Sequence, residues 1–303
     1  MITEEKLINV ENFLAVPGQV IDLANRPTAY EGEKLNKKEA KLLLKDSKQR
    51  LAATQDTLYA HNRYNILIVF QAMDAAGKDS AIKHVIAGLN PSGVKVYSFK
   101  APNSKELDHN YLWRHMQALP ARGEIAIHNR SHYENVLVTR VHPEYILKEN
   151  IPYVDSVDKI DDRFWENRFE QIRRFEKNLA QNGTIVVKFF LHLSKEEQRL
   201  RFLERIDNPE KNWKFSLSDL KERGYWEQYQ QYYAEAISKT STEEAPWFIV
   251  PADNKWYTRL VIANIICHRF GQLSIRYPIV SDAQKQKLQE ARKQLVKEGG
   301  EPV

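Results

Sequence analysis

Short apolar runs recur along the chain, and each is followed by a longer stretch in which apolar residues return every three or four positions. The runs are 66–70 (ILIVF), 94–99 (VKVYSF), 124–128 (EIAIH), 185–191 (IVVKFFL) and 247–250 (WFIV). Their length and composition predict strands, and the stretches 104–118, 162–182, 195–206, 218–238, 255–270 and 282–297 predict helices. Strands that alternate with helices build a parallel sheet covered on both faces, so the expected class is α/β with a five-stranded parallel sheet. Residues 37–60 alternate in charge around Leu42, Leu43, Leu51 and Leu58, which predicts another helix, packed on the sheet edge or on a second subunit. Ser194 before Lys195-Glu196-Glu197 and Ser218 before Asp219-Leu220-Lys221 read as helix starts. No internal repeat or low-complexity linker interrupts the pattern. The expectation is one domain over 1–303, with a helical extension at 1–62, a helix and tail at 281–303, and the weakest order at 1–10 and 298–303.

Composition narrows this only slightly. A chain of 303 residues can bury a substantial core, and 45 Lys+Arg against 40 Asp+Glu leave a net charge of +5. So small an excess does not by itself point to nucleic acid, and no nucleic-acid partner is expected. Cys267 is the single cysteine; it lies in an apolar run, reads as a buried core thiol and suits a reducing compartment. No apolar run approaches the roughly 20 residues that span a bilayer. The N-terminus, Met1-Ile2-Thr3-Glu4-Glu5-Lys6, lacks the order of a signal peptide. A cytoplasmic protein with no membrane partner is expected.

Three stretches carry candidate chemistry. In the first, the run 67–70 stops at Ala72-Met73-Asp74-Ala75-Ala76-Gly77-Lys78, followed by Asp79, Ser80 and a predicted helix. Small residues let backbone N–H groups converge on phosphate oxygens, the helix aims its positive end at the same place, and Lys78 adds a full charge. The phosphate-loop pattern G-x-x-x-x-G-K-[ST] is met only in part, since Ala72 replaces its first glycine and Asp79 its last hydroxyl. Asp74 is unfavourable in a plain anion site unless a cation such as Mg²⁺, or a proton-bearing acceptor, binds with it. The second stretch, IAIHNRSHYENVLVTRVHPEY at 125–145, sets Asn129, Arg130, His132, Glu134 and Asn135 at the carboxyl end of the third predicted strand, the rim where open α/β sheets bind ligands. His128 ends a strand, so helical spacing to His132 does not apply and a metal pair is not expected; each histidine reads as a hydrogen-bonding core residue, with His132 also a candidate at the rim. The third stretch, 196–220, places Arg199, Arg201 and Arg205 on a helix that feeds a loop with Lys211 and Lys214. Cations on a helix and loop after the fourth strand are how nucleotide kinases build a lid over transferring phosphates.

Taken together, QAMDAAGKDS at 71–80, NPSGVKVYSF at 90–99, HNRSHYENVLVTRV at 128–141 and RIDNPEKNWKF at 205–215 resemble the polyphosphate kinase 2 family, over about residues 30 to 280. The NRSHYE form is similar to the class whose members phosphorylate both AMP and ADP. The resemblance implies a three-layer P-loop kinase fold with a helical lid at 195–235. It also implies Mg²⁺-dependent, reversible transfer between inorganic polyphosphate and the nucleotides AMP, ADP and ATP, in a homo-oligomer, dimer or tetramer. On this reading Asp74, Lys78 and Arg130 are catalytic. Ala75, Ala76, Gly77, Lys78, Asp79 and Ser80 hold phosphate, with Arg199, Arg205, Lys211 and Lys214 along the polyphosphate. Asn129, Arg130, His132 and Glu134 serve the nucleotide, and Asp74 with Asn135 serves the metal. Trp213 and Phe215 could contact a base or simply pack in the lid. Relatives often carry Asp at position 135, so Asn135 is either a tolerant neighbour of the site or a weakening change. An ATP-dependent nucleoside or nucleotide kinase would share fold, loop and lid, and the donor separates the two. A polyanion-binding module without turnover is disfavoured by Asp74.

Overall fold

The computed structural model describes residues 8–299. Six strands form one sheet in the order β1-β6-β5-β2-β4-β3: β1 (Leu14–Ala15), β2 (Asn65–Ala72), β3 (Val94–Ser98), β4 (Ile125–Asn129), β5 (Thr184–His192) and β6 (Trp247–Pro251). The five expected strands are present and mutually parallel. The expected count of five is corrected by β1, which pairs antiparallel with β6 through Leu14 opposite Phe248 and Ala15 opposite Trp247 and makes the sheet mixed. A two-residue strand has no periodicity to announce it.

β2 occupies the centre and is buried along its whole length, which is why it reads as an unbroken apolar run. Alternation splits its side chains between two cores. Ile66, Ile68 and Phe70 join Leu51, Leu58, Ile82, Val261 and Ile265 on one face, and Leu67 and Val69 join Tyr133, Phe169, Phe190 and Trp247 on the other. The first face is covered by α1 (Lys37–His61), α2 (Lys78–Ile86) and α10 (Lys255–Gly271). Rather than lying on a sheet edge, α1 packs against α10; its start is a capping box in which Asn36 and Glu39 satisfy each other's backbone N–H. Cys267 sits half-buried at this seam, its thiol 3.4 Å from the Ser47 carbonyl and pushed up to about 11 by burial.

Between β3 and β4 the expected single helix is two short ones, α3 (Ser104–Leu107) and α4 (Trp113–Met116). After β4 come a 3₁₀ turn at His132–Val136, α5 (Val138–Val141) and α6 (Asp162–Gln181). The lid region contains α7 (Lys195–Asp207), α8 (Leu217–Gly224) and α9 (Trp226–Thr240), so the helix expected over 218–238 breaks at Tyr225. Ser194 caps α7 as expected; α8 is capped by Ser216, two residues ahead of the expected Ser218. α11 (Asp282–Gly299) closes the chain. At the ends expected to be weakly ordered, residues 1–7 and 300–303 lie outside the described residues, whereas Asn9 caps a 3₁₀ turn over Val10–Phe13.

Candidate functional site

The sheet order changes direction at β2, so its carboxyl end opens the crevice between β4 and β5. The loop that leaves it needs two left-handed residues, Ala75 at φ 63° and Gly77 at φ 99°. Glycine adopts this freely, whereas alanine there costs on the order of 1 kcal/mol and requires outside support. That support comes from α7. Gln198 donates to the Asp74 carbonyl at 2.9 Å, and Arg201 donates to the carbonyls of Ala75 at 2.9 Å and Ala76 at 2.8 Å. The other arm of the guanidinium donates to Ala252 and Asp253 after β6, at 2.7 and 3.0 Å, and its Nε reaches Glu197 at 2.8 Å. With the carbonyls held toward α7, the trans peptides turn the Ala75 and Gly77 N–H groups the opposite way, while the Ala76 N–H is taken by the Met73 carbonyl at 3.3 Å.

Lys78 opens α2, and its amine reaches back to the Ala72 carbonyl at 3.0 Å. Burial lowers its pKa, Arg130 pushes the same way, and Asp74, Glu134 and Asp79 oppose them. Asp79, standing where the phosphate-loop pattern has a hydroxyl, accepts from the Asn129 amide at 2.5 Å, and Ser80 accepts from Arg259 at 2.9 Å.

Arg130 follows β4 in a left-handed conformation, φ 62°, tied by its N–H to Phe70 at 3.0 Å. Its guanidinium donates to Asp74 Oδ1 at 3.0 Å, and Glu134 first, then Asp74, raises its pKa while burial opposes. Three cavities meet at this side chain. The largest, about 720 Å³, is lined by the phosphate loop together with Arg205, Lys211, Lys214, Lys255 and Arg259. A second, about 370 Å³, runs between Phe99, Pro102, Tyr111, Val138 and Tyr145, and Glu134 borders it. A third, about 150 Å³, lies under α8 between Asp74, His142, Glu222 and Tyr233.

The predicted residues therefore divide. Asp74, Ala75, Gly77, Lys78, Asp79, Ser80, Arg130, Arg205, Lys211 and Lys214 line one cavity; Ala76 contributes its backbone beside them. Arg199 does not line it: its guanidinium is spent on exposed Glu196 at 2.9 and 2.6 Å. His132 does not face a nucleotide, because it is fully buried and hydrogen-bonds Glu176 at 3.1 Å. Asn129 lies in the phosphate cavity with Asp79 rather than in the apolar one. Asn135 borders the 370 Å³ cavity, shares none with Asp74, and donates to the His132 carbonyl at 3.2 Å. Phe215 packs edge-on against Phe202, while Trp213 is 78 % exposed at the cavity rim. Sequence reasoning missed Lys255 and Arg259, one turn apart at the start of α10, where only their i, i+4 spacing hinted at a shared face.

Comparison with known proteins gives the chain a family. The profile of the family described as polyphosphate kinase 2 (PPK2) matches residues 34–276. The chain is 46% identical over 290 residues to an ADP-polyphosphate phosphotransferase of Rhodopseudomonas palustris, covering 96% of this chain and 99% of that one. It is 45% identical over 251 residues to an AMP/ADP-polyphosphate phosphotransferase of Meiothermus ruber, covering 83% and 87%. The crystal structure of polyphosphate kinase 2 from Arthrobacter aurescens TC1 superposes with a TM-score of 0.81 at 35% identity, covering 94% of this chain and 98% of that one. With the family profile across residues 34–276 and the fold shared over 94% of its length, this chain belongs to the polyphosphate kinase 2 family.

Proposed function

We propose that the protein transfers a terminal phosphoryl group from inorganic polyphosphate to ADP, AMP or both, reversibly and with Mg²⁺, making ATP when ADP is the acceptor. The observation that carries this reading is the position of Arg130, between a long basic cavity suited to a phosphate chain and an aromatic-walled cavity of nucleoside size. Polyphosphate lies along Lys211, Lys214, Arg205, Lys255 and Arg259, with its terminal phosphate on Lys78 and the Ala75 and Gly77 N–H groups. The nucleotide enters beside Phe99 and Tyr145 with its own terminal phosphate toward Arg130. An acceptor phosphate oxygen forms a new bond to the terminal phosphorus, the bridging P–O bond breaks, and the shortened chain leaves with the bridging oxygen. The acceptor oxygen is already ionised near neutral pH, so the protein need supply no general base. Its contribution is position and positive charge, and Arg130 exchanges its pairing with Asp74 for the equatorial oxygens of the group in flight.

The donor set fits Mg²⁺. This ion binds through one or two carboxylates plus phosphate oxygens and water. Asp74 supplies one carboxylate at the edge of the phosphate cavity, and no cluster of three or more metal-binding side chains occurs among the described residues. When bound, the ion neutralises charge on the transferring phosphate. Asn135 belongs to the scaffold on this account, because its amide donates to a backbone carbonyl that a carboxylate could not satisfy. The protein works as a cytoplasmic homo-oligomer, dimer or tetramer; among the described residues no helix is long and apolar enough to cross a membrane. Calorimetric titration of a short polyphosphate onto protein already saturated with ADP tests the two-cavity arrangement. Simultaneous binding is expected, and mutual exclusion would place both ligands in one cavity and overturn it.

A further inference from the structure

Beneath the site, on the face of the sheet away from α2, lies a charged cluster with no access to solvent. Lys188 is fully buried in the middle of β5 and Glu176 on α6 is 1 % exposed; their charged atoms are 2.5 Å apart. The lysine spends all three of its donors: on Glu176, on the Tyr133 hydroxyl at 2.8 Å and on the carbonyl of Thr240 at 2.8 Å. Glu176 accepts in turn from the Tyr133 hydroxyl at 2.8 Å and from His132 at 3.1 Å. Burial works against the Glu176 carboxylate, but Lys188 and His132 outweigh it and hold the carboxyl below its usual range. The ammonium also sits 5.3 Å from the ring centres of Tyr133 and Trp247.

A buried ion pair is poor stabilisation, since apolar residues of the same volume commonly do as well. This one does something that apolar residues could not, because its hydrogen bonds converge on two specific segments, through the Tyr133 and His132 side chains on one and the Thr240 carbonyl on the other. One is the 3₁₀ turn His132–Val136, which begins two residues after Arg130. The other is the C-terminal end of α9, the last helix of the lid region, whose Tyr229 and Tyr233 line the cavity shared by Asp74 and Arg130. Arg130 itself is left-handed and half-exposed, hydrogen-bonded among the described residues through its N–H to Phe70 and its side chain to Asp74. Its direction depends on where the turn that follows it is held.

We propose that Lys188, through Glu176 and Tyr133, is a positioning residue for phosphoryl transfer: it fixes the turn that aims Arg130 and ties that turn to the base of the lid. The inference rests on the catalytic reading of Arg130. A buried hydrogen-bonded network in which the ammonium uses all three donors favours one geometry, and a displacement of about 1 Å in a group that must meet a transition state can cost about a hundredfold in rate. Polyphosphate affinity should be spared, since Arg205, Lys211 and Lys214 lie on other elements.

A double-mutant cycle on turnover tests this, with Lys188→Met, Arg130→Ala and the pair, each measured per folded molecule at high enzyme concentration. Lys188→Met is expected to lower kcat by roughly tenfold or more with little change in KM for polyphosphate, and to do almost nothing once Arg130 is already alanine. A purely structural role would give losses that multiply in the double mutant, and that result overturns the inference. If Lys188→Met does not fold, Tyr133→Phe decides by the same cycle, since it removes only the bridging hydroxyl and keeps the ring. Arg130→Ala alone separates the two levels. Near-parental turnover in that variant sinks the catalytic reading and the inference with it, whereas a large loss combined with multiplying effects sinks only the inference.

Discussion

Removing Arg201 should damage the protein twice, once in stability and once in the phosphate loop. Its side chain is 5 % exposed and makes an ion pair with Glu197 and four hydrogen bonds to the carbonyls of Ala75, Ala76, Ala252 and Asp253. At about 1.5–3 kcal/mol for each bond to a charged group the simple sum is far too large, because the contacts are not independent and the loop carbonyls rehydrate once freed. The loss typical of breaking a buried ion pair, about 3–5 kcal/mol, is the better figure for Arg201→Met. In a chain of 303 residues that corresponds to a fall in melting temperature of about 5–8 °C, or an equivalent drop in the urea midpoint with unchanged slope. Freed from α7, Ala75 can leave its strained φ of 63°, so the loop N–H groups should scatter and KM for polyphosphate should rise about tenfold or more. Arg201→Lys keeps the charge but cannot span four carbonyls with a compact ammonium, and should recover less than half of either loss. If Arg201→Met melts within a degree of the parent and binds polyphosphate normally, the brace has been misread.

Three further outcomes follow from the same geometry. Lys78→Ala should cost about 3 kcal/mol of transition-state stabilisation, a fall in kcat of about 10²-fold, while leaving the melting temperature unchanged; normal turnover would make Lys78 a structural residue. Polyphosphate binding should weaken steeply with salt, and Lys211→Ala with Lys214→Ala should flatten that slope; an unchanged slope would place the donor elsewhere. Burial lowers the His128 imidazole to about 4 while its Nε2 lies 3.1 Å from the Ala118 carbonyl, so the unfolded chain takes up a proton there first. Stability tied to this group is complete above about pH 6.5 and is lost as pH falls toward 4, by about 3 kcal/mol at most; His128→Gln should flatten the decline measured by urea unfolding across that range.

Much of this fold can be read from the chain because its central strands are buried on both faces and so become unbroken apolar runs. β2 is the clearest case, and in β5 only the buried Lys188 interrupts the run from Ile185 to Leu191. β1 was hidden because its existence depends on the partner strand β6 and not on its own two residues. The break at Tyr225 was hidden because apolar spacing continues across it from α8 into α9. At the site, the loop 72–80 could be read because anion binding demands small residues, a helix start and a lysine in immediate succession. The arginines of α7 could not be told apart, since Arg199, Arg201 and Arg205 differ only in which way the helix turns them: to solvent, to the loop carbonyls and to the cavity. His132 misled for a similar reason. It stands in a functional segment, but a 3₁₀ turn carries its ring inward to Glu176. Lys255 and Arg259 arrive from a helix more than 170 residues beyond the phosphate loop, and only the packing of α10 beside α2 brings them there.

The most direct test of the account is a transfer assay with inorganic polyphosphate as the sole phosphoryl donor. Purified protein is incubated with Mg²⁺, polyphosphate and either ADP or AMP, and nucleotides are separated by chromatography while the chain length of the polymer is followed on gels. The account predicts ATP from ADP, ADP from AMP, or both, with matching shortening of polyphosphate, and loss of both signals in Lys78→Ala. Nucleotides left unchanged by polyphosphate, but phosphorylated once ATP is supplied as donor, would contradict it.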